Sequence, residues 1–215
     1  MRAWLVRSWR AAVIALALAG ASEAADGRLV DAVVAEIESR PVMLSDVALA
    51  RALGVLGLDP ATGPITDADL GRYLDAQLAV REATQLAIEV TTADIDRAWE
   101  LSGGAALAAR LAAVGSDAAW ARRLLEADLL VARFVDLRFR DFAFVTDFDV
   151  DAALGPGSHD AGTRAQTRDR LRAEMVARAY EAWKEDARQR FTIRRIPGVS
   201  GPWPAPFALG QSGKP

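Results

Sequence analysis

The chain has 215 residues, with 26 Lys+Arg against 29 Asp+Glu, one His and no Cys. This slightly acidic balance offers no concentrated basic surface for neutralising phosphates, so nucleic-acid binding is not expected. Without Cys the fold must rest on its core, and with a single His a zinc site has too few ligands to draw on.

The chain opens with the pattern of an export signal. Arg2, Arg7 and Arg10 form a basic start, and residues 11–19 are an uninterrupted apolar run. Ser22-Glu23-Ala24 then places small residues where a cleavage site after Ala24 requires them. The run is shorter than the roughly 20 residues that span a bilayer. A lipoprotein anchor needs a Cys that is absent, and the paired arginines of the twin-arginine route are missing too. Sec export, loss of residues 1–24 and a periplasmic location are therefore expected. The remaining 191 residues carry 23 basic and 28 acidic side chains, a net charge of −5. No later apolar run approaches membrane-spanning length, so no span is expected after cleavage.

Residues 29–37 are rich in β-branched residues, and residues 41–44 form a second short apolar run. Glu38-Ser39-Arg40-Pro41 can close a hairpin between them. Ser45 is placed to cap a helix with Asp46 in its first turn, and Leu49, Leu53 and Leu56 lie on one face. Gly57, Asp59-Pro60 and Gly63-Pro64 mark a loop. Thr66 with Asp69 then makes a capping box for a helix carrying Leu70, Leu74 and Leu78 on one face. Leu86 extends its apolar side, and it runs to about Ile88. Thr91 with Asp94 repeats the start signal for a short helix to about Leu101. Gly103-Gly104 breaks that helix, and an alanine-rich one follows to Val114.

Residues 117–140 form the longest periodic segment, 24 residues, roughly 36 Å if fully helical. Trp120, Leu124, Val131 and Val135 make one face, while Leu125, Leu129, Leu130, Phe134 and Phe139 lie outside it. So wide a girdle implies burial on more than one side or an exposed groove. Residues 142–145 (FAFV) read as strand-like or extended, and Thr146 with Asp149 starts a short helix to Leu154. After a loop over residues 155–162, residues 163–190 form a second long helix. Leu171, Met175, Ala179, Trp183 and Ala187 recur along it every four residues, and Glu174–Arg178 and Asp186–Arg190 are spaced for ion pairs. Residues 191–196 read as a last strand. The Pro/Gly-rich tail over residues 197–215 is expected to be disordered or loosely laid on the surface.

Little of this inventory supports catalysis, and no enzyme activity or cofactor is expected. His159 stands between Ser158 and Asp160, but neighbours in one loop do not make a triad, which is a constellation in space. Asp147, Asp149 and Asp151 open like a calcium loop, yet Ala152 and Ser158 stand where that loop wants Gly and a bidentate Glu. Gly54, Gly57 and Gly63 lack the spacing of a phosphate loop. No catalytic, cofactor-binding or metal residues are assigned, and no peptide-binding residues can be named from the pattern alone.

The order of elements resembles a known family. Residues 30–47, VDAVVAEIESRPVMLSDV, look like the opening of the SurA-type periplasmic chaperones: strand, tight turn, short strand, then Ser-Asp starting a helix. Residues 74–96, LDAQLAVREATQLAIEVTTADID, are similar to the family's next hallmark, an apolar helix with a Glu-Ala pair (Glu82-Ala83) followed by a start over residues 90–96. The helix around Trp183 and the strand near Phe191 match the family's return of its C-terminus to the core. The resemblance implies a mostly α fold with a small antiparallel β element, an N-terminal hairpin joined by a C-terminal strand. It also implies residues 25–154 as the helical core domain, completed by residues 163–196.

Two departures stand out. Glu38-Ser39-Arg40-Pro41 replaces the family's Asn/Gly-rich turn and calls for a different turn type. The parvulin-type isomerase domains of the family would fall between Leu154 and Thr163, where residues 155–162 leave no room for the ~50 residues a domain needs. The resemblance therefore implies an ATP-independent chaperone that holds unfolded or extended segments of envelope and outer-membrane proteins. The alternatives are a non-catalytic module docking on one dedicated envelope partner and, last, a prolyl isomerase.

Overall fold

A computed structural model describes residues 31–203, apart from 62, 114 and 158. The expected signal over residues 1–24 and the tail after 203 lie outside the described residues. Within them the chain is mostly α-helical with one small antiparallel sheet, as the sequence pattern predicts. In chain order the elements are β1 (Val33–Ile37), β2 (Arg40–Met43), α1 (Leu44–Leu53), α2 (Asp67–Gln85), α3 (Thr92–Leu101) and α4 (Gly104–Ala113). Then come α5 (Ala118–Arg138), a 3₁₀ turn (Arg140–Phe142), α6 (Asp147–Leu154), α7 (Ala161–Arg190) and β3 (Ile193–Arg195).

The sheet has the order β2-β1-β3, so the C-terminal strand joins the hairpin as expected. The hairpin turn differs from the expectation. It is a two-residue turn between Ile37 and Arg40, with Glu38 at φ 50° and Ser39 at φ 66°. Both central residues are left-handed, the geometry usually given to Asn-Gly. The surroundings hold it: the Glu38 N–H donates to the Thr192 carbonyl at 2.9 Å, and the Glu38 carboxylate accepts the Thr192 N–H at 2.7 Å.

Helix starts follow local chemistry closely. Thr66, Thr91 and Thr146 each accept the N–H of the Asp three residues on, and each Asp accepts the Thr N–H in return. Ser45 departs from expectation. The cap position belongs to Met43, whose N–H is taken by Asp46 at 3.3 Å. Ser45 lies in the first turn and donates its hydroxyl to Asp31. The end of α2 is set by Ala87 at φ 53°, with the Ile88 N–H reaching the Ala83 carbonyl at 2.9 Å in a Schellman closure. A left-handed alanine costs roughly 1–2 kcal/mol that glycine avoids. Part of this is offset by the freer unfolded chain, so Ala87→Gly is expected to raise stability by about 0.5–1 kcal/mol. Urea unfolding measures it, and an unchanged or lower midpoint counts against this account of the helix end.

The core is centred on α2 and α5. Leu70, Leu74 and Leu78 of α2 are buried with Leu49 of α1, and Leu124, Leu125 and Phe134 of α5 join them. The wide apolar girdle of α5 is thus explained: α1, α2, α3 and α4 all pack against it. Leu107 and Leu111 seat α4, and Trp99 seats α3 under the Arg122 guanidinium, 5.1 Å from the ring. Leu56 is fully buried at φ 58°, and its N–H donates to Asp128 of α5 at 2.7 Å. Burial pushes the Asp128 carboxyl above its ordinary range, against that hydrogen bond.

The two halves of α7 behave differently. Trp183 and Ala187 are buried in the main core, and Arg188 grips Asp75 of α2 through two bonds of 2.8 and 2.5 Å while Arg190 reaches Glu82 at 3.0 Å. The first half of the expected stripe is not buried: Leu171 and Met175 are half-buried and Ala179 is exposed. Instead Thr167 and Val176 are the buried residues of this half, and like Ala143 and Val150 they lie outside the main core cluster. The Asp186–Arg190 pair forms at 2.8 Å, whereas Glu174 pairs with Arg170 rather than Arg178.

Beyond β3 the chain is not loosely laid, as far as residue 203. Val199 packs on the core, Trp203 is 7% exposed, and Trp203 and Ile65 exchange backbone hydrogen bonds of 2.7 and 2.9 Å. The apolar indole and the two backbone bonds supply what the glycines and prolines around it cannot.

Candidate functional site

A chain whose apolar residues all find the core leaves few large rings in water, so exposed phenylalanines are the informative observation. Three occur within seven residues. Phe142 is 70% exposed, Phe144 73% and Phe148 79%. The backbone explains two of them. The 3₁₀ turn ends in extended backbone at Ala143, which is buried while its neighbours Phe142 and Phe144 are exposed. Phe148 lies in α6, whose buried contact is Val150 instead. This segment pairs with no strand in the described structure, and Phe142 belongs to the 3₁₀ turn, so the strand expected over residues 142–145 does not form.

Phe142 also lines an apolar groove of about 520 Å³ at the C-terminal ends of α2 and α5. Leu86 and Ile88 form one wall, and Leu137, Phe139 and the edge of Phe134 the other. Leu86 and Leu137 are each 54% exposed. The floor is rigid. Phe134 stands 4.8 Å from Trp183 and 5.8 Å from Phe139 between ring centroids, and Tyr180 stacks on Trp183 at 5.5 Å. Arg138 is the groove's one charged residue. Such a surface can bind by burying hydrocarbon, and it holds no nucleophile, acid or base aimed at a common point.

The residues weighed for chemistry are scattered into structural tasks. Asp160 caps α7 by accepting the Thr163 N–H at 3.0 Å. His159 has its Nε2 buried without a partner, and the side chain of Ser158 lies outside the described residues. Asp149 completes the capping box of α6, accepting the Thr146 N–H at 2.8 Å and its hydroxyl at 2.6 Å, and these bonds hold its carboxyl below the ordinary range. Asp147 pairs with Arg164 and Arg168, and Asp151 with Arg164. These pairs tie α6 to the first half of α7, and the three acids do not converge on one point.

Of the groove's residues, Phe134, Phe139 and Leu86 were legible as apolar, but the exposure of Leu86 and the partial exposure of Phe139 were not. Exposure depends on where α2 stops and on the turn after α5, and neither carries a strong punctuating residue. Comparison with family models gives no match for this chain, and comparison with curated proteins gives none.

Proposed function

We propose that the chain is an exported, ATP-independent holding protein that retains unfolded or extended segments of envelope proteins, outer-membrane proteins among them, without a catalytic step of its own. The observation that carries this reading is the run of exposed phenylalanines, of which Phe142 lines the apolar groove. Burying one such ring is worth roughly 1.5–3 kcal/mol, so contacts with two or three give reversible holding once ordering costs are subtracted. Rings also accept many sequences, because they select for hydrocarbon and not for a hydrogen-bond pattern. The export signal and the resemblance of residues 30–47 and 74–96 to SurA-type chaperones support the compartment and the clients.

The test is aggregation of a urea-denatured outer-membrane protein diluted into buffer, followed by light scattering. An equimolar amount of the protein is expected to suppress scattering without nucleotide. No suppression, together with one stoichiometric partner recovered from the envelope, would transfer the groove to a dedicated docking role.

A further inference from the structure

A second hollow, of about 390 Å³, lies between the hairpin and the C-terminal half of α2. It shares no lining residue with the apolar groove. Ile37, Pro41, Val42 and Val80 give it hydrocarbon walls. Its polar groups set it apart. Tyr73 lines it and is only 5% exposed, yet its hydroxyl has no hydrogen-bond partner among the described residues. That hydroxyl is not one of the fully buried unpartnered polar atoms, so it opens onto the hollow and can donate to a group that enters. The Gln77 amide and the exposed Arg40 guanidinium line the same hollow, and neither has a protein partner among the described residues.

Charge narrows what could enter. Asp46 is the one carboxylate in the lining, and its oxygens are already engaged by the Trp120 indole N–H at 2.9 Å and the Met43 N–H at 3.3 Å. It bonds to neither arginine, while Arg81 is turned to the Ile37 carbonyl at 3.2 Å. Arg40 is thus a cation without a counterion at the rim. The sheet edge narrows the choice further. Pro41 has no N–H, and Asp46 takes that of Met43, so β2 has no free donor here for an added strand. Recognition falls to side chains, at the end of a ligand and not along its backbone.

We propose that this cleft binds an apolar ligand by a single carboxylate, held by Arg40 with the Tyr73 hydroxyl and the Gln77 amide as further donors. Such a group is carried by the C-terminus of a polypeptide or by a small organic acid. The Trp120 indole N–H, bonded to Asp46, reports occupancy in ¹H–¹⁵N spectra of the purified protein. The probes are an acetylated Ala-Val repeat tetrapeptide with a free C-terminus, the same peptide amidated, and pentanoate. The free acid is expected to shift the Trp120 resonance saturably, and amidation to weaken it roughly tenfold or more. Arg40→Gln abolishes the shift, and Tyr73→Phe weakens it roughly five- to tenfold. Comparable binding of pentanoate assigns the site to small acids, and its failure beside a binding peptide assigns it to polypeptide ends. Absence of any shift, or equal shifts from acid and amide, overturns the proposal. Phe142→Ser leaves this titration unchanged while weakening client holding, so the two sites fail separately.

Discussion

Arg51→Met is expected to lower folding stability by about 3–5 kcal/mol, the range for breaking a buried ion pair by removing one partner. Arg51 is 4% exposed and fills the space between α1 and α2 with its guanidinium. Nη1 donates to the Pro64 carbonyl at 2.7 Å and to Asp69 at 3.1 Å. Nη2 donates to Ala61 and Gly63 at 3.0 and 2.8 Å. One side chain thus folds the loop after α1 and steadies the capping box of α2. Methionine keeps the hydrocarbon and leaves three carbonyls and a carboxylate without their donor. Lysine keeps the charge but cannot span these acceptors with one ammonium, so Arg51→Lys is also costly.

The pH dependence carries the same signature. Burial raises the Asp69 carboxyl, but the Thr66 hydrogen bonds and then Arg51 and Arg72 outweigh it and hold the group below its usual 3.8. A depressed folded pKa gives stability that is present above the usual carboxylate value and lost as pH falls through the folded one. In Arg51→Met the carboxyl loses its buried cation and keeps the more distant Arg72, so its pKa rises and this contribution shrinks. Adding Asp69→Asn removes a buried charge that has lost its nearer partner and recovers part of the loss. Urea titrations at neutral and acid pH check both statements, and a loss under 1 kcal/mol contradicts the clamp.

Phe134→Ala is expected to cost about 3–5 kcal/mol, the usual range for truncating a fully buried ring. Among the described residues Phe134 is the largest side chain with no exposure, and it joins α5 to Trp183 of α7 and to Phe139. The Trp183 indole N–H is buried without a hydrogen bond, so α7 docks here by packing. The second half of α7 keeps its ion pairs to Asp75 and Glu82, so its release is expected to be partial. Hydrogen exchange follows it: amides around residue 183 lose protection more than those of α1. Equal loss in both would mean that Phe134 acts on the whole core and not on this joint.

Much of the fold was written in short-range chemistry. The Thr-x-x-Asp boxes at Thr66, Thr91 and Thr146 act within four residues, so they read correctly from sequence. The apolar face of Leu70, Leu74 and Leu78 did too. The failures lie where distant groups decide. Ser45 gave up the cap because Asp31 takes its hydroxyl. Glu38-Ser39 adopted a turn suited to glycine because Thr192, from the far end of the chain, bonds Glu38 twice. A buried Arg51 has no sequence signature, since its acceptors are carbonyls of a loop. The site was half legible for the same reason. The composition of residues 134–148 announces aromatic surface, while the choice between core and solvent is made by Ala143 and Val150 taking the inward positions.

The most direct test of the central reading is the triple variant Phe142→Ser, Phe144→Ser, Phe148→Ser. All three rings are exposed, so each change is expected to shift stability by no more than about 0.5 kcal/mol, and the melting curve verifies the fold. The measurement is suppression of aggregation of a denatured outer-membrane protein by this variant and by the unaltered chain at matched concentrations. The folded variant is expected to need at least about tenfold more protein for the same suppression, the equivalent of about 1.4 kcal/mol of lost contact. A folded variant that holds its client as well as the unaltered chain would contradict this reading.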